Sequence, residues 1–159
     1  MKPFSVIIPG QPATKKNSAV VVRSHACLLP SAAYRAYERH CREALMALGR
    51  LPHYTLPVQM TCRYWLKDRA HWPDLVGLMQ ATADIISDER KRIAGRMVTT
   101  REWLLSDDRI IARWDGTEIA GIDKARPRVE IVITPMAVGE ALDPYVTRQI
   151  KQREGDDND

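Results

Sequence analysis

Asp74 and the pair Asp107-Asp108 are the residues of this chain whose types and spacing best suit chemistry. Asp74 follows Pro73 and opens an apolar run, Leu75, Leu78, Met79, Thr82, Ile85 and Ile86. Spacings of three and four predict a helix over 73–86 with one buried face. An anion suits the first turn of such a helix, where the backbone dipole is positive. Asp107-Asp108 comes about thirty residues later, just before a second apolar run. Carboxylates at a helix start and a strand start can share a divalent metal ion. Each also has a plainer reading, Asp74 as a helix cap and Asp107-Asp108 as a turn. Lys15 and Lys16 lie in a loop-like stretch, Gly10 to Ser18, and would meet phosphates there, or simply a solvated turn.

The elements that must position these groups follow from pattern. Phe4, Val6 and Ile8 predict a strand over 4–9, and Val20 to Val22 a second, so that 4–22 forms a hairpin with the basic loop at its tip. Ser31 caps a helix to Leu48, striped by Tyr34, Tyr37, Cys41, Leu45 and Leu48 and stopped by Gly49. Arg35, Arg39 and Arg42 fall off that stripe, on a face open to solvent or to a nucleic-acid backbone. Strict alternation from Leu56 to Leu66 predicts a long strand with one face on the core. His40 and His53 show no ligand spacing, whereas His71, three residues before Asp74, could bind metal or a phosphate, though a loop histidine is more often neither.

The charge-rich 87–102 segment reads as an exposed helix extension and then a loop, a possible second DNA contact. Trp103, Leu104 and Leu105 re-enter the core. Strands follow over 108–114 and 129–133, separated by a turn at Asp115-Gly116-Thr117, and a weakly patterned helix over 137–153. The order predicts one α+β domain, a mixed sheet packed against two main helices. It occupies 1–135, and 136–159 is an extension ending in an acidic, disordered tail.

Composition bounds the function. Hydrophobic content of 45% and charged content of 28% fit a soluble globular domain, and 159 residues suffice for a proper core. No apolar run reaches the length of a membrane span, and the N-terminus lacks a signal-peptide pattern, so a cytoplasmic protein is expected. Cys27, Cys41 and Cys62 match neither a zinc spacing nor a disulfide framework and read as buried free thiols. The last six residues hold four acids and no base, so 1–153 carries 24 bases against 16 acids, or +8. A basic body fits a nucleic-acid binder, because phosphate contacts dominate such affinity; a basic surface also serves solubility.

Four stretches, in this order, are similar to a known family. They are Pro12-Ala13-Thr14-Lys15-Lys16-Asn17, then Pro73-Asp74-Leu75 with Asp84-Ile85-Ile86, then Asp107-Asp108-Arg109-Ile110, then Arg128-Val129-Glu130-Ile131-Val132-Ile133. Over residues 4–134 the chain resembles the RusA-like endodeoxyribonucleases, Holliday junction resolvases common in phages and prophages. The resemblance implies a homodimer that cuts branched DNA with Mg²⁺ (or Mn²⁺) and no small-molecule cofactor. It implies Asp74, Asp108 and Lys16 as catalytic residues, with Asp74 and Asp108 as metal ligands; Asp107, the neighbour of Asp108, is the better substitute for a ligand this chain lacks, with Asp115 as the alternative. Lys15, Lys16, Asn17 and Arg23 become the DNA contacts.

The family's helix continues Asp-x-Asp-Asn with a lysine one turn on, where this chain has Val76, Gly77 and Gln80. Asp115 and Glu118 are further candidates for the missing ligand. Asp84 cannot share an ion with Asp74, since ten helical residues span about 15 Å, so it serves another purpose, such as a helix–loop hydrogen bond or a second cation. An inactive branched-DNA-binding protein of the same fold is therefore an alternative, and so is a protein that binds a partner through 87–102.

Overall fold

The computed structural model describes residues 1–15, 20–22, 27–70 and 72–137, with the backbone alone at 20–22 and 27–29. Lys16, Asn17, Arg23, His71, the thiol of Cys27, and the expected terminal helix and acidic tail from 138 onward lie outside the described residues. The elements run β1 (Phe4–Pro9), β2 (Val20–Val22), β3 (Cys27–Leu29), α1 (Ala32–Ala47), β4 (Val58–Leu66), α2 (Leu75–Ile86), β5 (Glu89–Ile93), β6 (Arg96–Arg101), β7 (Ile111–Trp114), β8 (Glu118–Ile122) and β9 (Arg128–Pro135).

The fold is α+β. A five-stranded sheet has the order β1-β9-β4-β7, and β8 also pairs with β4. β9 lies antiparallel between β1 and β4, whereas β7 and β8 run parallel to β4. Alternation along β4 buries Val58, Met60, Cys62, Tyr64 and Leu66 on one face, joined by Val6 and Ile8 of β1 and Val129, Ile131 and Ile133 of β9. Both helices supply side chains to the same core. From α1 come Tyr34, Tyr37, Cys41 and Leu45; from α2 come Leu78, Ala81, Ile85 and Ile86. Ser31 Oγ caps α1 by accepting from the Tyr34 amide at 3.0 Å. Leu48, the last residue of the expected stripe, is instead the exposed C-cap.

Three expectations are corrected, and one strand is added. β1 and β2 do not form a hairpin: β1 pairs with β9, and β2 pairs with β3. A distant strand with a buried face outcompetes the neighbour, because only that pairing completes the core. The 87–102 segment is not a helix extension. It is the β5–β6 hairpin, turned by Ala94 and Gly95 at φ of 49° and 81°. Residues 108–110 form a 3₁₀ turn, so the strand begins only at Ile111. β8 was not anticipated. β7 and β8 lie in series on one edge of β4, interrupted at Asp115–Thr117, where the Thr117 hydroxyl accepts from the Cys62 amide at 3.0 Å and replaces a ladder bond.

Candidate acidic site

The two ends of α2 carry different chemistry. At its start Asp74 is the N-cap, and its Oδ1 accepts from the Gly77 amide at 2.6 Å. A Cβ on Gly77 would lie 2.9 Å from Asp74 Oδ2, so the bare glycine is what lets the carboxylate fold over the first turn. In the last turn, Asp84 Oδ2 lies 2.5 Å from Lys15 Nζ, which also stands 5.5 Å over the Tyr34 ring. This is a helix–loop bond of the kind the sequence allows for Asp84, with Lys15 as its partner.

The path of the chain after the hairpin brings the second acidic motif to this same end. The amides of Leu104 and Leu105 both donate to Ile86 O at 3.0 Å, and the Leu105 carbonyl accepts from Asp88 N at 2.9 Å. On the other side Tyr54 N donates to Leu104 O at 2.8 Å and Ser106 N to Tyr54 O at 2.9 Å. Trp103, Leu104 and Leu105 are buried. Their burial drives the threading, and the backbone bonds fix its register. Asp107 and Asp108 therefore emerge beside the C-terminal end of α2.

The two adjacent carboxylates then diverge. Asp107 caps the 3₁₀ turn and binds Arg109 Nε at 2.7 Å, the Arg109 amide at 3.0 Å and Arg90 Nη1 at 3.1 Å. Partial burial raises its pKa, but the Arg109 hydrogen bonds and charge outweigh that and hold the carboxyl below its usual range. Asp108 moves the other way. Loss of solvent raises it first, and the Asp107 and Asp84 carboxylates raise it further against the pull of Arg109. Asp84 and Asp108 thus share one negative field, contributed by two elements 24 residues apart in sequence. Beneath Lys15, the Tyr34 hydroxyl is buried with no hydrogen-bond partner among the described residues. Burial, Glu38 and Asp84 together push that phenol up.

Several expected site residues stand apart. Asp74 is at the opposite end of α2, about 15 Å along the axis from Asp84. Glu118 is held by Arg63 at 3.1 Å, and Asp115, between β7 and β8, donates its amide to Met60 O at 3.0 Å and accepts at its carbonyl from the Thr61 hydroxyl at 2.8 Å. Among the described residues no set of three or more His, Cys, Asp or Glu side chains could hold a metal ion, so Asp74, Asp107 and Asp108 are not gathered as one ligand set.

Apart from the arginine-bound Asp107, the acids described at this end number two, Asp84 and Asp108, fewer than a protein-only metal cage needs. Mg²⁺ commonly takes one or two carboxylates and completes its shell with water and phosphate oxygens. Asp84 and Asp108 each carry hard oxygen donors, and Asp84 is one of the charges that raise Asp108.

Sequence spacing alone missed that Asp84 and Asp108 lie at one end of α2, close enough to share a field. The signal lay in Trp103-Leu104-Leu105, an apolar clamp that must return to the core next to α2. No family model matches the chain, and a search of curated proteins finds no match. Among the described residues no helix is long and apolar enough to cross a membrane.

Proposed function

We propose that this chain is a Mg²⁺-dependent endonuclease acting on branched DNA, with Asp84 and Asp108 as the metal-holding carboxylates and Lys15 as the cation beside the scissile phosphate. The observation that carries the reading is the Lys15–Asp84 pair at one end of α2, in a negative field that Asp84 shares with the partly desolvated Asp108. The basic body, +8 over residues 1–153, supports a polyanionic substrate.

A bound Mg²⁺ would supply an activated water and offset charge on the phosphoryl oxygens. The chain's own groups do the rest. Asp84 and Asp108 would hold the cation. Lys15, now paired with Asp84, would give up that partner to a metal and meet a non-bridging phosphate oxygen instead. Asp107, fastened to Arg90 and Arg109, sets the direction of the 107–108 turn and is a positioning residue. Lys16, Asn17 and Arg23 remain proposed DNA contacts. A homodimer suits the reading, because a two-fold substrate is cut symmetrically by a two-fold protein.

A second reading, a branched-DNA-binding protein without cleavage, is favoured by one specific observation. Asp84 already has an ammonium partner and Asp107 two guanidinium partners, so these acids are neutralised internally.

Cleavage of a synthetic four-way junction with Mg²⁺ or Mn²⁺ separates the two. The nuclease reading expects symmetric cuts by the parent, and binding without cutting by Asp84→Asn and Asp108→Asn. A parent that binds the junction and cuts with neither metal refutes it in favour of the second reading.

A further inference from the structure

We propose that the β5–β6 hairpin is a DNA-gripping arm, a basic ribbon that holds the phosphodiester backbone and leads it to the acidic site at its root. The inference deepens the nucleic-acid reading above and rests on it for the identity of the ligand.

The hairpin is not built as part of the core. Four of the five residues of β5 and all six of β6 are exposed, on both faces of the ribbon. A two-stranded ribbon in water is marginal by itself. This one turns on Ala94 and Gly95, both at positive φ as a tight two-residue hairpin turn requires. It is tied down at its base. Arg101 stacks 4.7 Å over Trp103, whose indole N–H donates to Glu89 at 3.2 Å. Arg42 of α1 pairs with Glu89 at 3.0 Å.

Beyond that base the rungs repeat one chemistry. Ile93 pairs with Arg96, Arg92 with Met97, and Lys91 with Val98. Cross-strand partners share a face, so each rung sets one cation beside one apolar side chain. Lys91, Arg92 and Arg96 have no ion pair among the described residues, and 90–100 contains no acid. Ile93, Met97 and Val98 are 54%, 58% and 41% exposed. Exposed apolar side chains among unpaired cations mark a surface that is covered in use. A two-stranded ribbon fits a DNA groove, where cations meet phosphates and apolar side chains meet sugars or unstacked bases. Arg90 roots the ribbon at the site, reaching Asp107 at 3.1 Å and Ser106 O at 2.9 Å, so a strand held along the arm would be led to the 107–108 turn.

The test is binding of the full chain to a fluorescent four-way junction in EDTA, from about 50 to 200 mM NaCl. Lys91→Gln/Arg92→Gln/Arg96→Gln is compared with the parent and with Lys2→Gln/Arg50→Gln/Lys124→Gln, which removes the same charge elsewhere. Each lost phosphate contact lowers the salt slope by about one. The parent should therefore lose roughly 40-fold more affinity than the arm variant across that range. The second variant should keep nearly the parental slope, and all three should melt together.

An arm variant with parental affinity and slope overturns the proposal, as does an equal loss in the second variant. A parent with no salt-sensitive DNA affinity also overturns it, in favour of a ribbon that binds protein. The nuclease reading fails separately. A parent that grips through the arm but cuts with neither metal keeps the arm, whereas a parent that cuts while the arm variant binds normally keeps only the nuclease.

Discussion

Lys15 and Asp84 meet at 2.5 Å although 69 residues separate them, and their contact ties the loop after β1 to the last turn of α2. Both side chains are partly exposed, at 42% and 26%. A pair in that setting contributes under about 1 kcal/mol to stability. Lys15→Ala and Asp84→Asn should each shift the urea midpoint only slightly while removing junction cleavage. A large loss of stability without loss of cleavage would make the pair a structural clasp.

Asp107 and Asp108 should respond to pH in opposite senses. Asp107 is depressed in the fold, so its contribution is present above the unfolded value of about 3.9 and is lost as pH falls through the folded value. Asp108 is raised, so its contribution is full below about 3.9 and is lost as pH rises through the folded value. At pH 7 Asp107→Asn should cost about 1–3 kcal/mol, because it weakens charged hydrogen bonds. Asp108→Asn should stabilise by less than about 1 kcal/mol, screened by solvent. Melting temperatures from pH 3 to 8 check both signs, and the Asp107→Asn deficit should shrink toward the acid end.

Gly77 and the Asp74 cap should be coupled. Alanine in a helix gains about 1 kcal/mol over glycine, but a Cβ here would press on the capping carboxylate at 2.9 Å. Losing such a cap costs about 1 kcal/mol. Gly77→Ala should therefore be near neutral in the parent and stabilise by about 1 kcal/mol in an Asp74→Ala background. Four denaturation curves complete the cycle, and additivity would show that no contact joins the two.

Cys41 and Cys62 should resist alkylation. Burial pushes the Cys41 thiol up to about 11 and the Cys62 thiol to about 12, so little thiolate exists near neutrality. Iodoacetamide at pH 8 should spare both in the native chain and modify both in denaturant, read by peptide mass spectrometry. Rapid native labelling of either would show that the α1–β4 core opens readily.

Much of the frame was legible in the residues themselves. Alternation in β4 and the capped, striped α1 are local signals, because their buried faces repeat at the period of the element that carries them. The cap at Asp74 and the apolar return at Trp103-Leu104-Leu105 were equally readable. The β5–β6 hairpin was not. Neither of its faces is buried, so it has no alternation, and its turn is Ala-Gly in place of the Asn-Gly or Asp-Gly that announces a hairpin. β8 was hidden for a related reason: it is a short, glycine-containing edge strand whose partner is not its neighbour in sequence.

The sequence by itself determined the α+β class, the core-facing residues and the identity of the acidic residues, all consequences of hydrophobic period and residue chemistry. Only the tertiary structure decided which acids meet. Helix rise keeps Asp74 and Asp84 apart, while the buried Leu104 and Leu105 strap, bonded to Ile86 and Tyr54, brings the 107–108 turn to the end of α2 that carries Asp84, whose charge Asp108 feels. That choice depends on non-local backbone pairing, and no spacing along the chain encodes it.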